Sequence, residues 1–586
     1  MDKALKLKLS MFFLMMFFMM GYMLIFGRVN AVIGLMVVVA AVLNLGNDLS
    51  YKPKLSFIKL FSLLMILGIV SYINTPITVF GCILTFFIVF GTTFTSYHLF
   101  GTHVYLPFLV IYFMMLVMPV PLDGLPIRLL SLAIGALFIV SLNLMINNKK
   151  YSKLSKLTLF SLIDELCNAV DLKLEGKEVS INSFNVANGF YRSIFSKFEY
   201  KYFPNPKHES IINVVKSFQY IGWVLSKYGL SENELMYLKR VLMDIKSFKF
   251  SEIGEITVET KEMNMVLLNL KIIENEAFNK NMEKENKIPN IHIILSVLKP
   301  LIKRQFSFKS AKFTFAFKMA VVLTLWEVLT LIFNFPYTKW LYFASIPLML
   351  PYIDDVAHTA KSRMGGTLIG VSAFAVIMIA LQYIPISSYM AMVIVLIAAL
   401  FGMVFSLQNK LKLSSFTTLM SVTVSLVYIT PPKAIELKIL WVAVAMIVVT
   451  IINYGFLPFS VEKETKNNLK ASYVLNKRFV NLIKLKCEGK IINKTPLLVV
   501  SSMVHENIEI NNNNEELYQI QSKITNVSNS ILNYMEIYEI SPEMKIKIIK
   551  LIENEGNFNN HENIILNSVN YVVNLLNKEK NLINNI

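Results

Sequence analysis

Charge is what this 586-residue chain has least of: 16% of its residues are charged, where a soluble domain carries about 25%, and 55% are hydrophobic. With a mean hydropathy of +0.53, that scarcity excludes an ordinary soluble enzyme. Roughly half of the chain lies in uncharged runs able to cross a hydrocarbon core ~30 Å thick, and a polytopic membrane protein is the class that fits. Cysteine is scarce too. Cys82, Cys167 and Cys487 make neither a disulfide framework nor a metal-ligand spacing. G-x-x-x-x-G-K-[ST], G-x-G-x-x-G and H-E-x-x-H are all absent, so no cofactor and no metal are expected and the enzyme readings start weak. His505-Glu506 and His561-Glu562 are isolated pairs in polar stretches and read as solvated surface.

Basic residues are the charges that are present. The balance of 57 Lys+Arg against 39 Asp+Glu gives +18, and membrane proteins hold such an excess in cytoplasmic flanks beside anionic headgroups. The lipid bilayer, and not nucleic acid, is the partner this implies. Apolar runs fall near 9–27, 29–45, 56–73, 76–97, 104–120 and 126–146, and again near 314–334, 339–353, 365–384, 389–406, 415–430 and 437–458. Lys3, Lys6 and Lys8 before the first run resemble a secretory signal, but no small-x-small cleavage site follows, so the first two runs read as a membrane hairpin. The run 339–353 is short and contains Pro347 and Pro351, so it is tilted, broken or longer than these bounds.

The two blocks of runs look like copies. Tyr72-Ile73 with Pro76 matches Tyr383-Ile384 with Pro385, and Pro121, Arg128 and Asn143 match Pro431, Lys438 and Asn453 at a constant offset of 310. An even number of crossings per copy makes the repeats parallel, related by an axis along the membrane normal. Lys3, Lys6, Lys8, Lys52, Lys54, Lys59, Lys149, Lys150, Lys309, Lys312, Lys361, Arg363, Lys410, Lys412 and Lys463 flank one side, against Arg28, Arg128, Lys339, Lys433 and Lys438 on the other. The first set marks the cytoplasm, which puts both termini inside a cell (inner or plasma) membrane. The expected fold is all-α: a first six-span domain at 1–148, a cytoplasmic helical domain at 149–310, a second six-span domain at 311–460 and a C-terminal cytoplasmic helical domain at 461–586.

The polar segments read as amphipathic helices. Apolar residues recur at threes and fours through 153–175, Ser231-x-x-Glu234 is a capping box opening a helix to Ile245, and similar stretches cover 466–487 and 562–582. Pro204, Pro206 and Pro289 mark breaks, and Asn511–Asn514 a solvated loop. The high Asn, Lys and Ile usage reads as compositional bias without chemistry.

The most specific stretch is Lys309 to Gly370. Tyr337-Thr-Lys-Trp340 opens the second run, Pro351 ends it, and Arg363-Met-Gly-Gly366-Thr367-Leu-Ile-Gly370 opens the third. This resembles the fusaric acid resistance protein-like family, which includes the aromatic acid exporters and, more distantly, the aluminium-activated malate transporters. The order of six spans, helical segment, six spans, helical segment resembles it along the whole length. The first half has neither the Trp nor the Gly-Thr pair. The resemblance implies export of a small aromatic or amphipathic carboxylate, coupled to the proton gradient.

Read for their own chemistry, these residues divide in two. Gly366, Thr367 and Gly370 put small side chains on one helix face, which permits close helix packing. Arg363 meets Asp354 or Asp355 in the preceding loop, or snorkels. Trp340 stands where an interfacial aromatic anchor stands. Glu327, deep in the seventh run beside Trp326, is the sharpest candidate: apolar burial disfavours a charged carboxylate, which suits proton coupling, and pairing with a cation such as Lys318 is the bland alternative. Arg128 and Lys438 at matched outer span ends would attract an anion or anchor the helices. A small organic anion is therefore the expected substrate and a homo-oligomer is allowed. A passive anion channel and a non-transporting scaffold that binds a partner through its cytoplasmic helices remain as alternatives. A membrane enzyme would need clustered acids or His, for which Asp354-Asp355-x-x-His358 is the sole candidate.

Overall fold

The computed structural model describes residues 3–45, 49, 53–75, 78–96, 105–147, 150–178, 206–247, 260–278, 306–333, 340–381, 383, 387–406, 409–426, 429–490, 492, 494, 497, 501, 504, 515–537, 539–554 and 564–584. Tyr337, Pro204, Pro289, Asn511–Asn514 and the pairs His505-Glu506 and His561-Glu562 lie outside them. Among the described residues the chain is helical, with no strand. It forms two compact units, each assembled from two separated stretches: 1–148 with 304–461, and 149–303 with 462–586.

The first unit holds α1 (Lys3–Phe26), α2 (Arg28–Asn44), α3 (Pro53–Ile73), α4 (Val79–Ser96), α5 (Tyr105–Val117) and α6 (Leu125–Asn147). The second unit's first stretch supplies α7 (Lys150–Leu174), α8 (Pro206–Lys227), α9 (Glu232–Lys246) and α10 (Lys261–Phe278). The first unit resumes with α11 (Ala311–Phe333), α12 (Trp340–Ser345), α13 (Val356–Leu381), α14 (Ser388–Phe405), α15 (Lys410–Ser425) and α16 (Pro431–Gly455). The second unit is completed by α17 (Val461–Cys487), α18 (Glu515–Ile537), α19 (Pro542–Glu553) and α20 (Ile564–Asn584).

Six helices of the first unit, α3, α4, α6, α11, α13 and α16, are long and apolar enough to span a bilayer, and α1, α2, α5 and α14 contain shorter apolar helices. The chain is a multi-pass membrane protein. Two of the twelve expected crossings take another form. The run 339–353 breaks after the six-residue α12, with Pro347 and Pro351 denying backbone donors to a continuing helix. The run 415–430 becomes α15, whose first turn carries Lys410 and Lys412 and whose body is rich in Ser and Thr. Phe17, Leu24, Phe80, Met145, Val376 and Ile451 stay exposed on the unit's outer side, as side chains facing lipid do. Its core joins both stretches: Tyr112 and Phe113 of α5 share one apolar cluster with Phe315, Met319 and Trp326 of α11 and Tyr342 of α12.

Helix pairings recur between the two stretches. α3 packs on α6 as α13 does on α16, α2 on α6 as α12 on α16, and α4 on α5 as α14 on α15. Across the stretches, α4 packs on α11 and α1 on α14.

In the second unit the amphipathic faces meet each other: α7 lies against α8 and α9, α8 against α10 and α18, and α20 against α18 and α19. The capping box is complete, with Ser231 Oγ accepting from Glu234 N–H at 3.3 Å and Ser231 N–H donating to Glu234 Oε2 at 2.9 Å. Gly176 (φ 71°) and Gly489 (φ 78°) end α7 and α17 in the left-handed region that glycine adopts without strain, each followed by a Lys N–H reaching back to Leu172 or Leu485.

Candidate functional site

Glu327 lies two thirds of the way along α11 and is fully buried. Its partners come from the other stretch. Asn74, at the end of α3, donates Nδ2–H to Glu327 Oε1 at 2.6 Å across 253 positions of sequence, and the same amide reaches Thr85 Oγ1 of α4 at 2.9 Å. Thr85 Oγ1 and Tyr112 Oη of α5 lie 2.8 Å apart. Among the described residues Glu327 Oε2 and Asn74 Oδ1 are buried without a hydrogen-bond partner. Gly81 makes room for this arrangement, because a Cβ there would overlap Asn74 Oδ1. Beside the cluster Trp326 donates Nε1–H to Ser345 Oγ at 2.8 Å, and Phe113 stacks on Tyr342 with centroids 4.2 Å apart. No ion pair involving Glu327 occurs among the described residues.

Lys318 is not the partner of Glu327. It is fully buried and donates to Asn453 Oδ1 of α16 at 3.3 Å. The expected outer cations are also buried instead of exposed: Arg128 is 2% and Lys438 3% accessible. Arg128 Nε–H donates to Asn30 Oδ1 at 3.2 Å while its Nη2 has no partner, and Lys438 Nζ sits 5.1 Å from the centroid of the Trp340 ring. Asn30 and Trp340 are themselves related by the offset of 310. Among its described residues this unit thus buries three cations and one carboxylate, none of them in an ion pair.

Arg363 turns away from the acidic loop. Its Nη1 donates to Thr417 Oγ1 at 3.3 Å and to Ser414 Oγ at 3.5 Å on α15, and Thr367 Oγ1 donates to the Arg363 carbonyl at 2.8 Å. Asp354 instead accepts the Val461 N–H at 3.0 Å, and Asp355 is exposed. Gly366 and Gly370 bring α13 against α15: a Cβ at 366 would stand 2.7 Å from the Leu411 carbonyl, and one at 370 would stand 2.9 Å from Thr418 Cβ and press on the Ser415 carbonyl. Among the described residues no cluster of three acids, His or Cys exists to hold a metal.

Asn74, Thr85 and Tyr112 were invisible to sequence reasoning. A polar residue near a span end is common, and only Glu327, charged inside an apolar run, announces itself.

Residues 322–452 match a family model described as fusaric acid resistance protein-like. The matched stretch begins just ahead of Glu327 and contains Trp340, Arg363, Gly366, Thr367, Gly370 and Lys438, so it carries the motif that suggested this family. No curated protein and no solved structure matches the chain.

Proposed function

We propose that this chain, a multi-pass membrane protein whose residues 322–452 are fusaric acid resistance protein-like, is a transporter that exports small aromatic or amphipathic carboxylates and couples that export to proton movement at Glu327. The observation that carries the reading is the carboxyl itself: fully buried in a span, held on one oxygen by Asn74 and, among the described residues, unpartnered on the other and served by no cation. An ionisable group kept inside a membrane without a structural counter-ion is a place to take up and release a proton. Arg128, Lys318 and Lys438, buried with neutral partners, make the interior attractive to an organic anion.

The recurring helix pairings, with the matched positions Arg128/Lys438, Asn143/Asn453 and Asn30/Trp340, support two parallel six-span repeats. The excess of Lys and Arg beside one set of span ends supports cytoplasmic termini and a cytoplasmic second unit in a cell membrane.

The test is flux in proteoliposomes, with substrates chosen by screening aromatic and aliphatic carboxylates for relief of toxicity on overexpression. Accumulation driven by a pH gradient should vanish in Glu327→Gln while exchange of substrate persists. Equal gradient-driven flux in the variant and the parent, at equal membrane abundance, would sink the coupling. The unpaired cations favour a passive anion channel as the second reading, and flux indifferent to collapse of the pH gradient would select it.

A further inference from the structure

Arg363 is a cation that neither the fold nor the coupling at Glu327 uses. It lies about two turns into α13, against the start of α15, and is half-buried. Its Nη1 rests between Thr417 Oγ1 and Ser414 Oγ at 3.3 and 3.5 Å. Both hydroxyls spend their own protons on carbonyls, Thr417 on that of Ser414 at 3.0 Å and Ser414 on that of Arg363 at 3.2 Å. Their oxygens are left as acceptors, which fixes the plane of the guanidinium. Its other edge is bare: among the described residues Nε is buried without a partner and Nη2 makes no hydrogen bond. In any guanidinium the Nε–H and one Nη2–H lie side by side, as the fork that grips both oxygens of a carboxylate.

The surroundings are positive. Lys361, Lys410 and Lys412 are exposed at the starts of the same two helices, and Lys410 Nζ–H donates to Thr359 Oγ1 at 3.4 Å, one turn ahead of Arg363. Among the described residues none of these cations, Arg363 included, is in an ion pair. The acids of the loop before α13 do not serve them, for Asp354 accepts the Val461 N–H and Asp355 is exposed. Asn409 Oδ1 already caps α15 at the Lys412 N–H, 3.1 Å away, so the donors that remain are side chains. Joining the two helices does not require a charge here, because Gly366 and Gly370 already let their backbones approach. An unfilled buried donor costs stability until an acceptor reaches it.

We propose that the Nε–Nη2 edge of Arg363, oriented by Ser414 and Thr417 and fed by Lys361, Lys410 and Lys412, binds the carboxylate of a small aromatic or amphipathic acid. This rests on the transport reading and names the place in it where the charge of the cargo is recognised. One open edge takes one singly charged, two-oxygen group, and the exposed lysines raise the local concentration of anions. These helix ends belong to the set whose Lys and Arg excess supports a cytoplasmic side, the side from which an exporter loads.

The experiment measures equilibrium binding of labelled benzoate and hexanoate to the full chain in detergent, with benzamide and inorganic phosphate as competitors. Both acids should bind saturably, and neither competitor should displace them as well as the unlabelled acid does. Arg363→Lys keeps the charge and loses the fork, so affinity should fall about tenfold or more while the unfolding midpoint stays near that of the parent. Arg363→Lys protein that binds like the parent overturns the site. So does a parent that binds neither acid, or binds them no better than benzamide, and displacement by phosphate as strong as by benzoate overturns the carboxylate in favour of a phosphate ligand. Should Arg363→Lys fail to fold, Lys410→Glu sets a carboxylate at an exposed position one turn from the fork and should weaken binding at least as much; unchanged affinity there refutes the proposal. Binding is read without a gradient, so it fails separately from coupling: Glu327→Gln protein that transports like the parent overturns the coupling alone, and Arg363→Lys protein with parental affinity overturns this site alone.

Discussion

Glu327 in the first unit and Glu579 in the second are buried carboxyls with no cation beside them among the described residues, and they are satisfied differently. Glu579 on α20 accepts from Gln521 Nε2 at 2.8 Å on one oxygen and from Asn476 Nδ2 at 3.0 Å on the other. Asn476 is itself fixed by Thr525 Oγ1 at 2.9 Å. Glu327 has Asn74 on one oxygen and, among the described residues, no hydrogen-bond partner on the other. A carboxyl with both oxygens filled ties helices together, whereas a half-filled one costs stability and persists where something else uses the vacancy. The contrast fits a structural Glu579 and the proton-coupling role proposed for Glu327, and each half of it is breakable.

The largest expected effect belongs to Glu327. Glu327→Gln keeps the shape and one acceptor oxygen, so the protein should reach the membrane folded, yet gradient-driven accumulation should fall about tenfold or more because the described residues bury no other carboxyl nearby. If Glu327 served only to hold the helices together, expression and thermal stability would fall together with flux. Reconstituted flux measured beside the unfolding midpoint separates these cases.

Glu579 should show the opposite pattern, unaltered flux with altered stability. Burial pushes its carboxyl up to about 7, and the hydrogen bonds from Asn476 and Gln521 hold it down. A folded-state value above the unfolded one means the native protein binds the proton more tightly. This contribution is therefore fully present below the ordinary value of 4.5 and is lost as pH rises through about 7. At about 1.4 kcal/mol per pH unit the change across that window is about 3 kcal/mol. Glu579→Gln should flatten this slope and leave the variant more stable than the parent at pH 8, which calorimetry across pH 5–8 would reveal. A parent whose stability is flat or rises over that range would contradict the assignment.

A smaller change follows from removing one donor. Gln521→Leu leaves one Glu579 oxygen as bare as that of Glu327, at a cost of about 1–3 kcal/mol, and moves the loss of stability to higher pH. If calorimetry finds no cost, the amide pair is not what steadies Glu579, and the contrast with Glu327 weakens.

Much of this architecture was readable from the residues. Charge scarcity marked the membrane unit, Pro347 and Pro351 foretold the broken α12, Ser231-x-x-Glu234 opened α9, and Trp340 through Gly370 pointed to the matched family. Partnership was not readable. Asn74 lies 253 positions from Glu327, and no periodicity carries information over that distance. Nor does hydropathy tell which cation meets which partner, so Arg363 was aimed at Asp354 or Asp355 and found Ser414 and Thr417. Asparagine was the largest misreading. Treated as compositional bias, it supplies the buried partners of Glu327, Lys318, Arg128 and Glu579 through Asn74, Asn453, Asn30 and Asn476. In an apolar interior the amide is the neutral group able to serve both a cation and a carboxylate, and its placement emerges only once helices are packed.

The smallest effect tests whether Asn74 holds Glu327 through position rather than mere presence. A Cβ at residue 81 would overlap Asn74 Oδ1, so Gly81→Ala must swing the amide away from the carboxyl without touching Glu327. Losing one hydrogen bond of this kind is worth about 1 kcal/mol net, or roughly fivefold in coupled flux. Asn74→Ala should cost about the same. The informative measurement is the double variant. If both substitutions act by emptying one place beside Glu327, their effects will not add, and Gly81→Ala with Asn74→Ala will transport like Asn74→Ala alone. The turn between α3 and α4 could also respond to the new methyl by shifting as a whole, and then the losses multiply. Additive losses in coupled flux would therefore detach Gly81 from the carboxyl and leave Asn74 as one donor among several around Glu327.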